Sequence, residues 1–176
     1  DMDEIIDIVR RFPGVLELLP FGEDDADFAD AALWKKLKRE LGASWPLADA
    51  APLREARTTW DLLRAQPPDP ALMRYVAGCQ PATVAAYEVV TVDPPLLPPT
   101  KKLAFKATAA GDGTVTWQSG LLPDVPTWYV ENTAHDNLCT QSRAFEGYLD
   151  LLMTGTTNRL PASPPATRRD ARADGE

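Results

Sequence analysis

Seventeen prolines divide this chain of 176 residues, and they fall in clusters. QPPDP at 66–70 and DPPLLPPT at 93–100 cannot lie inside a helix or a central strand. Proline has no amide hydrogen, and its ring clashes with the preceding helical turn. Regular structure must therefore fit between these breaks. Before QPPDP, apolar residues recur at helical spacing. Met2, Ile5, Ile6 and Val9 form one stripe, closed by Phe12-Pro13-Gly14. VLELLPFG reads as a short apolar turn or half-helix. DDADFADAALWKKLKREL reads as a helix, with Asp24, Asp25 and Asp27 at its start. Lys35, Lys36, Lys38 and Arg39 crowd its end, and both clusters suit the helix dipole. Gly42 stops it. A third helix is predicted from about Leu53 to Ala65, with Leu53, Ala56, Trp60 and Leu63 on one side.

The texture changes at Ala71. LMRYVAGC and ATVAAYEVV are short runs rich in β-branched and aromatic residues, separated by a turn at Gln80-Pro81. KKLAFKATA alternates Leu103, Phe105 and Ala107 as a strand does, and PTWYVENTA is a fourth strand. TQSRAFEGYLDLLMTG is predicted to be a helix with Phe145, Leu149 and Leu152 on its core side. After Leu160 the chain turns rich in Pro, Ala, Arg and Asp, the composition of a disordered tail or linker. The order is helices first, then strands, then a closing helix: a helical region over 1–70, a strand-bearing core over 71–160 and a tail over 161–176. The fold class expected is α/β.

Bulk chemistry narrows the function. The net charge is −8 and the isoelectric point about 4.7. A chain so acidic lacks the basic face that neutralises phosphates, so nucleic acid is not an expected partner. No apolar run approaches the roughly 20 residues that span a bilayer. No basic stretch followed by an apolar one opens the chain, so no secretion signal is visible; the chain starts at Asp1, as a trimmed or processed one would. The two cysteines, Cys79 and Cys139, offer neither a disulfide scaffold nor a zinc spacing, and both read as small buried residues. A reducing, cytoplasmic compartment fits them. One histidine and scattered carboxylates imply no metal and no organic cofactor.

That histidine, His135 in AHDNL, is the only one in the chain. It follows a strand and precedes a helix. Asp112, in GDGTV, also follows a strand, between two glycines that let the backbone turn sharply. In open α/β sheets, catalytic groups gather where strands end. Two adjacent strands ending at one sheet edge would bring the two side chains together. A carboxylate on one imidazole nitrogen fixes the tautomer and leaves the other nitrogen free as a base. Each residue also has a plainer reading. Asp-Gly is a common turn pair, and His135 could begin a helix capped by Asp136. Trp117, Trp128 and Tyr129 read as core or pocket wall. Leu16, Leu18, Leu19 and Phe21 could line an acyl pocket or simply pack the helical region.

Acid before histidine, each after a strand, is the order of the α/β-hydrolases. FKATAAGDGTVTWQSG followed by VPTWYVENTAHDNLCTQSRAFEGYLDLLMTG resembles the C-terminal part of bacterial α/β-hydrolases similar to lecithin:cholesterol acyltransferases. FPGVLELLPFG resembles their cap region. The departure from the family pattern after GDGTV is Thr116 in place of proline. The resemblance implies the C-terminal part of an α/β-hydrolase sheet with a helical cap, Asp112 as triad acid and His135 as triad base. It implies a lipid or other ester as substrate. The partner it implies is an upstream segment or second chain carrying the G-x-S-x-G nucleophile. Within the chain, Ser44 in GASWP lacks the last glycine and follows a helix, and Cys79 matches no nucleophile pattern. The alternative is a non-catalytic module, derived from a hydrolase half, that binds or regulates within a larger protein.

Overall fold

The computed structural model describes residues 2–20, 27–96 and 98–166. Phe21, Asp24, Asp25 and residues 167–176 of the expected tail lie outside them, as do the side chains of Met2 and Ile5. The elements mix helices and strands in small sheets, an α/β organisation in the broad sense. The chain divides into two compact units: Asp1–Pro67 with Tyr87–Ala104, and Pro68–Ala86 with Phe105–Glu176.

The first unit holds α1 (Met2–Val9), α2 (Pro13–Leu16), α3 (Ala31–Leu41) and α4 (Ala50–Ala65). The second helix of the sequence reading begins later than its acidic cluster suggested. Asp30 stands at the N-cap of α3, and its carboxylate accepts from the Ala32 N–H at 2.8 Å. Asp27 instead accepts from Ala29 N–H and pairs with Arg57. Several aspartates in a row are equally good caps, and packing chooses among them. Leu16, Trp34, Leu53 and Ala56 form the core here. The Trp60 indole donates to Glu17 O, at the C-cap of α2, at 2.9 Å. Leu63, on the same side of the helix in the sequence reading, lies a turn beyond that contact and is exposed.

The second unit is built on a parallel pair, β1 (Tyr75–Gly78) with β4 (Thr127–Val130), in the register Tyr75↔Thr127 to Gly78↔Val130. The pleat sends alternate side chains to opposite faces. Trp128 and Val130 join Ala144, Leu151 and Leu160 on one face, with Val76 against them. Ala77, Cys79 and Tyr129 form the other, under Tyr75, Trp117 and Leu121. Covering both faces is what a parallel pair requires. β2 (Thr83–Val92) and β3 (Thr100–Thr108) make a separate two-stranded sheet whose residues are shared between the units. The strand ahead of Asp112 and the strand ahead of His135 are thus not neighbours, contrary to the sequence expectation.

α5 (Trp117–Gly120) follows the GDGTV turn, and 3-10 turns at His135–Thr140 and Ser142–Ala144 lead into α6 (Phe145–Thr154). The buried face of the closing helix is not the one its largest residues suggested. Ala144, Gly147 and Leu151 are buried, while Phe145, Leu149 and Leu152 are 46%, 52% and 82% exposed. Gly147 sets this register, because a Cβ there would lie 2.7 Å from Leu160 Cγ. Leu160 itself is core, and Pro161 O accepts the Tyr129 N–H at 2.9 Å. The chain around 160 is therefore tied to the sheet edge, where a free tail had been expected. Cys79 is buried as expected; Cys139, on the surface 3-10 turn, is exposed. This packing predicts that Leu151→Ala lowers stability by about 2–4 kcal/mol and that Leu152→Ala shifts it by no more than about 0.5 kcal/mol. Urea unfolding of the two variants checks the contrast.

Candidate active site

The GDGTV turn carries Asp112 away from the end of β3 and onto the end of β1. Gly111 O accepts the Gln80 N–H at 2.8 Å, and Gly113 N–H donates to Thr83 Oγ1 at 2.9 Å. Asp112 is pinned on both sides. Its Oδ1 accepts from Thr114 N–H at 3.0 Å and Val115 N–H at 2.7 Å, the local ring that an Asx turn makes. Gly113 holds φ +93°, a conformation that side chains disfavour. These bonds consume Oδ1 and leave Oδ2 free to point elsewhere.

The histidine turn arrives from β4. Thr133 N–H donates to Cys79 O at 3.1 Å, so this turn too is laid across the end of β1. His135 N–H donates to Asp112 O at 3.0 Å, and His135 Nδ1 lies 2.8 Å from Asp112 Oδ2. A carboxylate only accepts, so this contact calls for the proton on Nδ1, which in the neutral ring leaves the lone pair on Nε2. Gly78 makes the crossing feasible. A Cβ there would stand 2.6 Å from Thr133 O and 2.9 Å from Asp112 Cβ. The neighbouring carboxylate, Asp136, accepts from Asn137 Nδ2 instead.

The acid is 6% exposed and the imidazole side chain 53%. A buried acid behind an accessible ring is the arrangement a general base needs. Burial alone would raise the Asp112 pKa. The Val115 N–H, the His135 ring and the Thr114 N–H outweigh it and hold the carboxyl below its usual range. Cys79 moves the other way. Burial, then the negative charges of Glu131 and Asp112, push its thiol up to about 11 despite the bond to Val130. It is protonated at neutral pH and unfit as a nucleophile.

Ser44 stands exposed in the turn after α3, in the first unit. Among the described residues, no hydroxyl is bonded to His135 Nε2. Of the leucines that could have lined an acyl pocket, Leu16 is core and Leu18 is exposed. Among the described residues no cluster of His, Cys, Asp or Glu could hold a metal ion, and no helix is long and apolar enough to cross a membrane. The sequence reading brought out Asp112 and His135 but passed over Gly78 and Thr83. A glycine ending a strand is a signal of close backbone approach, and it was legible. No family model matches the chain, and neither a curated protein nor a solved structure matches it.

A pH dependence follows from the lowered Asp112 pKa. A carboxylate with a depressed pKa stabilises the fold fully above its unfolded value, near 3.9, and loses that contribution as pH falls through the folded value. Asp112→Asn should therefore cost about 1–3 kcal/mol at pH 7, and the gap to wild type should narrow as pH drops below about 4. Urea midpoints at pH 7 and pH 3 measure it; a gap independent of pH would contradict the assignment.

Proposed function

We propose that this chain supplies the acid and base of a serine-type α/β-hydrolase acting on an ester, of the lipid acyl class that the resemblance implies. The observation that carries the reading is the 2.8 Å contact between the buried Asp112 carboxylate and a half-exposed imidazole. His135 Nε2 takes the proton from a serine hydroxyl as that oxygen attacks the ester carbonyl, and returns it to the departing alcohol oxygen. Asp112 holds the Nδ1–H tautomer and stabilises the imidazolium formed in between. Water or a second alcohol then completes the cycle by the same base. The serine comes from an upstream segment or a second chain. The cytoplasmic setting is part of the same proposal.

The surface of α6 supports a chain that works joined to further structure. Phe145, Leu149, Leu152 and Met153 recur at i, i+4, i+7 and i+8 and are all exposed. A contiguous exposed apolar stripe is a candidate interaction surface. It equally favours the second reading, a hydrolase-derived module that binds without catalysis.

A fluorophosphonate probe separates the two. Applied to the native protein recovered through a tag on this chain, it should form a serine adduct. His135→Ala should slow that labelling by about a thousandfold. Equal labelling of both forms removes His135 from the mechanism, and no labelling of wild type favours the binding module.

A further inference from the structure

Three polar side chains are buried among the described residues: Thr83, Asp112 and Thr133. All three lie at the crossing over β1. Asp112 is the acid. Thr133 braces its own turn, donating to Glu131 O at 3.1 Å and accepting from Gln141 Nε2 at 3.2 Å and Arg143 Nη2 at 3.3 Å. Thr83 is different. It begins β2 and reaches across 30 positions to take the Gly113 N–H, in the turn that bears the carboxylate.

We infer that Thr83 is a positioning residue for the Asp112–His135 pair: its hydroxyl fixes the height of the acid turn at which Oδ2 meets Nδ1. Besides the His135 N–H bond to Asp112 O, the turn is tied at the residues that flank Asp112. On the amino side, Gly111 O is held by the Gln80 backbone. On the carboxyl side, the Thr83 hydroxyl takes the Gly113 N–H. The same side chain presses on Gly111, where a Cβ would lie 2.6 Å from Thr83 Oγ1 and 2.8 Å from Thr83 Cβ. Thr83 thus lies against Gly111 and bonds Gly113, the glycines on either side of the acid. Gly113 sits at φ +93°, a conformation open to glycine, and its N–H points to the Thr83 hydroxyl. With the hydroxyl gone, the turn keeps its inner Asx ring but loses its tie to β2. A hydrogen bond at 2.8 Å tolerates little drift of one partner.

The catalytic meaning rests on the hydrolase reading, but the positioning does not, and His135 can report it alone. As the only histidine, its ring gives one set of nitrogen signals. Long-range ¹H–¹⁵N spectra of the full chain read the fraction of Nδ1–H tautomer above the imidazole titration. Thr83→Val keeps the shape and removes the hydroxyl; Thr83→Ser keeps the hydroxyl. The expected result is at least about a twofold fall in Nδ1–H tautomer for Thr83→Val and recovery in Thr83→Ser. The Gly113 amide should exchange about tenfold faster in Thr83→Val than in wild type. An unchanged tautomer in a folded Thr83→Val overturns the proposal. If Thr83→Val does not fold, the wild-type Gly113 amide decides: protection supports the anchor, and exchange at the rate of an open loop overturns it. A wild-type ring with no Nδ1–H tautomer sinks the triad reading instead, while Gly113 exchange still tests the anchor.

Discussion

Everything at the candidate site depends on two turns crossing one strand end. β1 is four residues long, and its last residue is Gly78. The acid turn and the histidine turn both pass over that residue, and the space a Cβ would need is filled by Thr133 O and Asp112 Cβ. Alanine at 78 would push at least one turn away by a large part of an ångström. A bond of 2.8 Å between Oδ2 and Nδ1 has no room for that displacement. The hydrogen-bonded ends of β1, with Cys79 holding Val130 O and Thr133 N–H, make the crossing rigid.

From that crossing the electrostatics follow in order. Oδ1 is spent on two backbone amides, so Oδ2 is the oxygen that faces the ring. Backbone donors and the imidazole outweigh burial and keep the acid charged. Burial, then the negative charge of Glu131 and to a lesser degree that of Asp112, raises the neighbouring Cys79 thiol and silences it. One small region thus keeps a carboxylate ionised and a thiol neutral, and each effect has a named partner.

The sequence made the elements legible but not their partners. Three of the four strands lie where β-branched and aromatic residues concentrate, and β3 lies where Leu103, Phe105 and Ala107 alternate. Period-two alternation says nothing about which strand pairs with which, so the adjacency expected of β3 and β4 failed. Asp112 and His135 meet all the same, carried by loops. The closing helix was misread because two apolar stripes overlap on it. Ala144, Gly147 and Leu151 carry less hydrophobic weight than Phe145, Leu149 and Leu152, yet small residues allow the closer approach to Leu160. Among several aspartates near α3, local chemistry could not select Asp30. Thr83 gave no sequence signal, since its role spans 30 positions.

The most direct test of the central claim is the protonation site of the His135 ring in the wild-type chain and in Asp112→Asn. Nitrogen-15 spectra near pH 8 should show the proton on Nδ1 in wild type, with Nε2 bare, and a shift toward the Nε2–H form in Asp112→Asn. A wild-type ring that carries its proton on Nε2, unmoved by the substitution, would contradict the account.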